Sequence, residues 1–322
     1  MPGIRLRALG SLTLAAALVT GCASTDPGDD SAAGSDGASV VATTTFWGDV
    51  TAQLVDCAGS GTVTTLMPVG ADPHDFAASS RDIATMSAAD LVVANGLGLE
   101  EGLSDALDSA ASDGADVFEV APQLDPMPFA GGAGDEHAQD HAEEGHSGDD
   151  PHVWLDVSRV ATAADLIGQR LAQGAGDETF ARCGEQLSAE LTGLHEEIRS
   201  TLAQVPAERR VLVTDHDALG YFAEAYGFEV AGVVIPGGST LAQPSSAEMA
   251  ALTETVRATG VTAIFANTAN PQAVVDALAT EVGAIEVVEL YIGSLGAQGS
   301  GADTYQGMMR TNAARISEAL SG

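Results

Sequence analysis

Short apolar runs rich in β-branched residues alternate with helical patterns, and one long amphipathic stretch divides this alternation in two. Before the long stretch, predicted strands lie at residues 40–44, 62–66, 91–94 and 116–120. After it, they lie at residues 210–214, 229–234, 263–266 and 286–290. Strands that alternate with helices form mainly parallel sheets. The sequence therefore predicts an α/β fold with two lobes, each a mainly parallel sheet flanked by helices.

The dividing stretch covers residues 177–206, has apolar residues at helical spacing and ends at Pro206. A helix of this length would span about 40 Å, and proline is a helix stop. We expect a long, rigid linker helix between a first lobe of residues 40–176 and a second lobe of residues 207–322. The roughly 280 residues from position 40 onward suit two domains of ordinary size.

The N-terminal segment has the pattern of a secretory signal. Two arginines precede an apolar region at residues 9–19, which is too short to span a membrane. The segment ends at Cys22 in a sequence that resembles a bacterial lipobox. We expect residues 1–22 to be a lipoprotein signal peptide, Cys22 to be lipidated, and residues 23–39 to form a flexible tether. An ordinary cleaved signal or a buried apolar segment is the alternative. The lipid would anchor the protein to the outer face of the cell membrane.

The charge of the chain limits its partners. Its formal net charge is −34, from 46 acidic and 12 basic residues. Such an acidic surface argues against nucleic acid and anionic lipid as partners. It attracts cations in general, but an acidic bias of the whole proteome explains the charge better than a dedicated function does.

Two cysteines, Cys57 and Cys183, remain once Cys22 is assigned to the lipid. An even pair outside the cytoplasm suggests a disulfide, provided that the fold brings the two Cβ atoms within range. Neither cysteine belongs to a CxxC motif, which argues against a redox site or a thiolate zinc site.

Three histidines, His74, His152 and His216, each lie where a predicted strand or loop meets the next element, and each has acidic neighbours. They are separated by 78 and 64 residues, too far for a local metal loop. In open α/β sheets, ligands bind beyond the carboxyl ends of strands, and His74 and His216 both follow predicted strands. A single such histidine is usually a hydrogen-bonded loop residue. Three neutral imidazoles that meet at one point would suit zinc.

The stretch 130–150 consists largely of Gly, Asp, Glu and His, so we expect an acidic loop there. It contains His137, His141 and His146. One interpretation is a solvated loop that happens to contain histidine, and the other is an auxiliary loop that captures metal near a main site. Its direct connection to His152 favours the second interpretation without excluding the first.

Several other side chains are expected to have supporting roles. His195 lies on the predicted linker helix beside two glutamates, so we expect a surface position. The aromatic residues near the three histidines are expected to pack around them: Phe76, Trp154 and Phe222. The acidic residues that follow two of the histidines, Asp75 and Asp217, are expected to cap helices or to accept from an imidazole.

Four segments carry a resemblance to a known family: Gly-Ala-Asp-Pro-His at 70–74, Asp-Pro-His-Val-Trp-Leu-Asp at 150–156, His-Asp-Ala-Leu-Gly-Tyr-Phe at 216–222, and a C-terminal set at 290–291, 294–296 and 305–312. Together they resemble the zinc and manganese substrate-binding lipoproteins of ABC importers, over residues 40–320. The resemblance implies that a metal binds between two lobes joined by a rigid helix. By position, His74 and His152 would be ligands from the first lobe and His216 a ligand from the second.

The resemblance also bears on which metal is bound. Manganese members commonly have a carboxylate where this chain has His216, so the histidine favours Zn²⁺ over Mn²⁺. The family usually supplies a fourth ligand, an Asp, at the position held here by Gly293. The fourth ligand would then be water or another carboxylate, with Asp303 and Asp72 as candidates.

The function implied by the resemblance is that of an extracytoplasmic, high-affinity zinc-binding component of an ABC importer. It would be a monomer that delivers zinc to a membrane permease and its ATPase, and it would not be an enzyme. The alternatives are a manganese-binding homologue, a surface adhesin or metallochaperone, and a zinc hydrolase. The hydrolase has the least support, because the chain has neither an HExxH nor a Gly-x-Ser-x-Gly motif.

Overall fold

The computed structural model describes residues 37–129, 148–235, 240–270, 272–283 and 285–322. Several predictions lie outside these residues: the signal peptide with Cys22, most of the tether, and the loop histidines His137, His141 and His146. Within the described parts of the chain, no helix combines the length and apolar character needed to cross a membrane.

The first lobe contains a four-stranded parallel sheet. In chain order its strands are β1 (Ser39–Ala42), β2 (Thr62–Thr65), β3 (Leu91–Ala94) and β4 (Val117–Glu119). Their spatial order is β2-β1-β3-β4. In the register of the sheet, Val41 pairs with Thr64 on one side and with Val92 on the other. All four strands lie where the sequence pattern predicts them.

The second lobe repeats this arrangement. Its strands are β5 (Val211–His216), β6 (Glu229–Ile235), β7 (Ala263–Asn267) and β8 (Glu286–Leu290). They are ordered β6-β5-β7-β8 and are again parallel. The predicted α/β fold with two parallel sheets is therefore confirmed.

Helices cover the faces of both sheets. Those of the first lobe are α1 (Thr45–Ala58), α2 (Ser80–Ser87) and α3 (Ser104–Ser112). The second lobe has four helices in the described residues: α6 (Gly220–Tyr226), α7 (Ser246–Thr259), α8 (Ala273–Val282) and α9 (Tyr305–Ser321). Helices α4 (Val157–Ala175) and α5 (Thr179–Leu202) connect the two lobes. The start of α7 has a capping box, in which Ser245 and Glu248 satisfy each other's backbone N–H groups.

Apolar side chains are buried on both faces of each sheet, as a parallel sheet covered by helices requires. Along β3, Leu91 and Val93 belong to the large central core, whereas Val92 and Ala94 belong to a separate outer cluster. The second sheet divides its residues in the same way. The central core contains residues of both lobes, so the two sheets share one hydrophobic interior.

A long helix lies in the predicted linker region, but it is the second arm of a helical hairpin whose first arm the sequence pattern does not predict. Helix α4 (Val157–Ala175) precedes α5 (Thr179–Leu202), and Gly176 forms the turn in the left-handed region at φ 66°. The two helices cross where Gly168 faces Gly184. A Cβ atom at Gly168 would lie 2.7 Å from the Phe180 carbonyl oxygen. Only glycine permits so close an approach of the two backbones.

The structure joins Cys57 and Cys183 by a disulfide, with the two Cα atoms 5.9 Å apart. Cys57 lies in the last turn of α1 and Cys183 in the first half of α5. The bond therefore attaches the helical hairpin to the first lobe. Helix α5 also contacts α9 of the second lobe, so the same hairpin supports both lobes.

Candidate metal centre

The fold brings His74, His152 and His216 together at one buried point. One ring nitrogen of each lies within 4.8 Å of those of the other two, and the residues are only 3%, 1% and 1% exposed. The Nε2 atoms of His74 and His152 are 3.4 Å apart. Two nitrogens that each lie about 2.0–2.1 Å from a tetrahedral zinc ion are about 3.3–3.4 Å apart. In the described residues, no other cluster of His, Cys, Asp or Glu has this convergence.

His152 is held by the loop that leads into α4. The carboxylate of Asp150 accepts from the backbone N–H of His152 at 2.9 Å and lies 2.7 Å from its Nδ1. The second lobe fixes this loop, because Tyr221 donates its hydroxyl to the Asp150 carbonyl and Trp154 donates its indole N–H to the Ile292 carbonyl. With Nδ1 held by Asp150, Nε2 is the nitrogen that faces the cluster.

His216 is the last residue of β5 and the most firmly anchored of the three. Asp215 Oδ1 lies 2.9 Å from both the backbone nitrogen and Nδ1 of His216. The other oxygen of Asp215 accepts from the backbone N–H of Asn267 and from the side chain of Asn270. The orientation of this imidazole is therefore fixed through the neighbouring strand β7.

His74 lies in the loop after β2, and its ring is less constrained. Its backbone N–H donates to Asp72 Oδ1 at 3.1 Å, but its buried Nδ1 has no hydrogen-bond partner among the described residues. The other oxygen of Asp72 accepts from the hydroxyl of Thr240, which belongs to the second lobe. His74 thus lacks the ring contact to a carboxylate that the other two histidines have.

The protonation of the three imidazoles differs. Burial, together with repulsion from the other two imidazoles, lowers the pKa of His74 to about 3. Burial also lowers the pKa of His152. At His216 burial acts in the same direction, but the charge and hydrogen bond of Asp215 outweigh it, so the pKa of His216 is raised. Two imidazoles are therefore neutral at neutral pH, with lone pairs free to bind a cation.

Asp150 is also affected by its surroundings. Burial raises the pKa of the Asp150 carboxyl to about 8, and only the backbone hydrogen bond and the nearby His216 act against it. A divalent cation held by His152 would favour the ionised carboxylate, because a nearby positive charge lowers the pKa of an acid. Binding of a cation should therefore release a proton from this pair.

The position that the family resemblance assigns to a fourth ligand is occupied by Gly293, which is buried beside the loop of His74. A Cβ atom at Gly293 would lie 2.9 Å from Pro73 Cδ, so a larger residue would displace this loop. Of the two alternative carboxylates, Asp303 is exposed and accepts from the backbone N–H of Gly299. Asp72 lies near the cluster but is bonded to Thr240. Neither carboxylate belongs to the three-histidine group.

The carboxylates that contact the imidazoles precede them in the chain. The carboxylates observed against the ring nitrogens are those of Asp150 and Asp215. Asp75, one of the two acidic residues expected to cap a helix or accept from an imidazole, is exposed. The sequence contained a usable signal, since an Asp lies one or two positions before each histidine. A side chain so placed can accept from the backbone N–H of the histidine, which brings it close to the ring.

The expectation of a surface position for His195 is wrong. His195 is only 7% exposed, because residues from both lobes cover it. Its ring nitrogens lie 2.9 Å from the Arg199 guanidinium and 3.4 Å from the Tyr226 hydroxyl, and Nδ1 is 3.7 Å from Asp156. It does not belong to the metal-type cluster. Of the aromatic residues expected around the site, Trp154 packs against His152, with ring centroids 5.2 Å apart.

Comparison with known families gives a match over nearly all of the described chain. Residues 40–319 match the family model described as zinc-uptake complex component A, periplasmic (ZnuA). The matched range includes both lobes and all three histidines of the cluster.

Individual relatives agree with this match but differ in the metal they are named for. The chain is 29% identical over 309 residues to the manganese-binding lipoprotein MntA of Halalkalibacterium halodurans, with 95% of each chain covered. It is 32% identical over 263 residues to the zinc-binding protein TroA of Treponema pallidum, with 80% of each covered. The solved structure of periplasmic zinc-binding TroA superposes with a TM-score of 0.76 at 29% identity, covering 89% of this chain and 100% of that chain.

Proposed function

The chain belongs to the zinc-uptake complex component A family of metal-binding, ABC-transporter substrate-binding proteins, and on this premise we propose that it captures zinc outside the cytoplasm and delivers it to a membrane permease. The observation that carries the proposal is the convergence of three buried imidazole nitrogens within 4.8 Å of one another. We assign His74, His152 and His216 as the ligands, each through Nε2.

The donor set supports zinc over manganese. All three donors are imidazole nitrogens, which suit zinc, whereas manganese favours carboxylate, carbonyl and water oxygens. The names of the relatives do not decide the matter, since they include both metals. The spacing of 3.4 Å between the Nε2 atoms of His74 and His152 also fits tetrahedral zinc.

We assign the fourth coordination position to water. Gly293 has no side chain to offer, and Asp303 is committed to a surface turn. Three histidines and a water also occur in catalytic zinc sites. The relatives, however, are named as binding proteins and not as hydrolases, and a protein that must later give up its metal benefits from an incomplete set of protein ligands.

The proposal extends to parts of the chain outside the described residues. We propose that a lipid on Cys22 anchors the protein to the outer face of the cell membrane, with residues 23–39 as a tether. We propose further that His137, His141 and His146 form an auxiliary loop that captures zinc near the main site. Mass spectrometry of the protein extracted from membranes would show whether Cys22 carries acyl chains. Deletion of residues 130–147 should slow zinc capture and leave the final affinity nearly unchanged.

Metal titration tests the central claim. In competition with a chromophoric chelator, the purified protein should bind one zinc ion at the main site far more tightly than manganese. His152→Ala should abolish tight binding, and a crystal of the loaded protein should show anomalous scattering at the zinc edge between the three rings. Preference for manganese would refute the zinc assignment, and unchanged affinity in the variant would refute the ligand assignment.

Delivery is tested separately from binding. Liposomes that contain the partner permease and its ATPase should accumulate zinc only when the loaded protein and ATP are present. Tight zinc binding without any uptake in a system that is active with another family member would favour the adhesin or metallochaperone alternative.

A further inference from the structure

The tripeptide Asp-Pro-His occurs twice in the chain, at 72–74 and at 150–152, and both copies end in a histidine of the cluster. In the second copy, Asp150 Oδ1 serves both the backbone N–H and the ring Nδ1 of His152. In the first copy, Asp72 Oδ1 accepts from the backbone N–H of His74 only. The same local sequence therefore exists in two hydrogen-bonding states.

The third histidine shows what a complete arrangement contains. Asp215 uses one oxygen for the backbone and ring of His216 and its other oxygen for Asn267 and Asn270. One oxygen thus orients the imidazole while the other anchors the carboxylate to a different part of the fold. Asp72 already has such an anchor, because its second oxygen accepts from the hydroxyl of Thr240.

The arrangement around His74 lacks one hydrogen bond, the one to its ring. Its ring Nδ1 is buried and has no hydrogen-bond partner among the described residues. A buried, unsatisfied N–H group is costly, and a metal-ligating histidine almost always donates its second ring N–H to a carboxylate, a carbonyl or water. The carboxylate of Asp72, which already accepts from the backbone N–H of His74, is the acceptor that could serve this ring.

We propose that Asp72 is the positioning residue for His74, and that Thr240 of the opposite lobe holds the Asp72 carboxylate in place for this role. When zinc binds to His74 Nε2, the ring turns so that its Nδ1–H donates to Asp72 Oδ1, as His152 does to Asp150. Thr240 keeps the second oxygen of Asp72. This inference rests on the proposed zinc function and assigns to the second lobe a contribution to the orientation of a ligand from the first.

The arrangement also separates two roles for Asp72. A carboxylate whose oxygens are both engaged, one by the histidine and one by Thr240, is not available as the fourth zinc ligand. Asp72 therefore acts through His74 and does not touch the metal.

Four variants test this proposal: Asp72→Asn, Thr240→Val, Thr240→Ser and, as a matched control, Asp75→Asn. The control removes the same charge from an exposed residue beside the same histidine. Zinc affinity, measured by chelator competition, should fall about tenfold in Asp72→Asn. In Thr240→Val it should fall roughly three- to tenfold. Thr240→Ser keeps the hydroxyl and should restore wild-type affinity, and Asp75→Asn should not differ from wild type.

Nitrogen-15 NMR of the zinc-loaded protein supplies a readout that a loss of stability would not imitate. In wild type, the His74 Nδ1 proton should be observed at the shift of a hydrogen bond to a carboxylate. Asp72→Asn should move this signal and leave the corresponding signals of His152 and His216 in place. An unmoved His74 signal, or wild-type affinity in both Asp72→Asn and Thr240→Val, would overturn the inference. Failure of wild type to bind zinc would instead refute the proposed function.

Discussion

The two lobes hold their histidines differently, although their sheets have the same strand order. The second lobe presents His216 at the end of a central strand, with Asp215 fixed by two asparagines and the pKa of the imidazole raised. The first lobe presents His74 and His152 from loops, and burial lowers the pKa of both. In the proposed zinc site, one lobe would therefore supply a rigid, charge-compensated ligand, and the other would supply two neutral ligands.

This difference suggests how a site can bind tightly and still release its metal. His74 and His152 are neutral, so the metal need not displace a proton from their ligating nitrogens, and only one carboxylate contacts their rings. The second-lobe histidine must exchange a proton for the metal, so its contribution depends on pH. A small separation of the lobes would remove His216 from the ion and leave a weaker two-histidine site.

The largest effect should come from removing a histidine, which tests the comparison directly. Structural zinc sites bind with about 10–16 kcal/mol, so the loss of one of three protein ligands should cost about 4 kcal/mol, or roughly a thousandfold in affinity. His74→Ala and His216→Ala should both show this loss in chelator competition. Only His216→Ala leaves a buried carboxylate, Asp215, without its imidazole, so only this variant should also lower the melting temperature of the metal-free protein. Equal melting temperatures would contradict the proposed asymmetry.

The disulfide should matter for stability and not for the site. Replacing Cys57 and Cys183 together by serine removes the bond between α1 and the hairpin. Loss of such a cross-link should lower the free energy of unfolding by about 2–5 kcal/mol, measured by urea titration. Zinc affinity of the folded variant should stay within about twofold of wild type, because the bond lies far along the hairpin from the histidines. A large loss of affinity would show that the hairpin sets the spacing of the lobes at the site.

The carboxylates behind the imidazoles should have intermediate effects. Asp215→Asn and Asp150→Asn should each weaken zinc binding by about 10–100-fold. We expect the larger loss at Asp215, since this residue also accepts from Asn267 and Asn270. Calorimetric titration gives the affinities, with the exposed Asp75→Asn as the control. A larger loss for Asp150→Asn would contradict the view that the second lobe holds its histidine more firmly than the first lobe does.

The smallest effect should be the dependence of zinc affinity on pH. Below its raised pKa, His216 carries a proton that zinc must displace, so affinity should fall as pH decreases, by about tenfold per unit for one proton. His74, with a pKa of about 3, adds no competing proton near neutral pH. Calorimetry in buffers of different ionisation enthalpy should count one to two protons released at pH 7, from His216 and Asp150. Release of no proton would contradict the assigned charge states, and Asp215→Asn should reduce the count.

The same pKa shifts make the stability of the metal-free protein depend on pH, in one direction through His74 and in the opposite direction through His216. The folded state lowers the pKa of His74, so between about pH 6.5 and 3 the unfolded chain binds a proton that the folded chain does not. Stability from this residue therefore falls as pH decreases through that window. The raised pKa of His216 acts in the other direction, because its stabilisation is present below about pH 6.5 and is lost as pH rises through the folded value.

Much of the fold could be predicted because it depends on local patterns. Strand β3 begins and ends where its run of four apolar residues does. The sequence pattern does not single out helix α4, because five of its nine buried residues are alanine or glycine, small residues buried by the close packing against α5. His195 was misplaced for a related reason. Two glutamates follow it in the chain, but Leu191 and Ile198 lie beside it on the same helix and are buried. Tyr226 and Asp156, from other elements, also contact it.

The sequence by itself determined the α/β class, the three histidines and the carboxylate that precedes each one, since all of these depend on short-range spacing. The tertiary structure decided which contacts each carboxylate makes. Asp215 is anchored by a residue 52 positions away, and Asp72 by one 168 positions away. Hydrogen bonds between such distant residues form only in the folded tertiary structure, within the second lobe for Asp215 and between the lobes for Asp72, because no local pattern specifies the direction in which a buried side chain finds its partner.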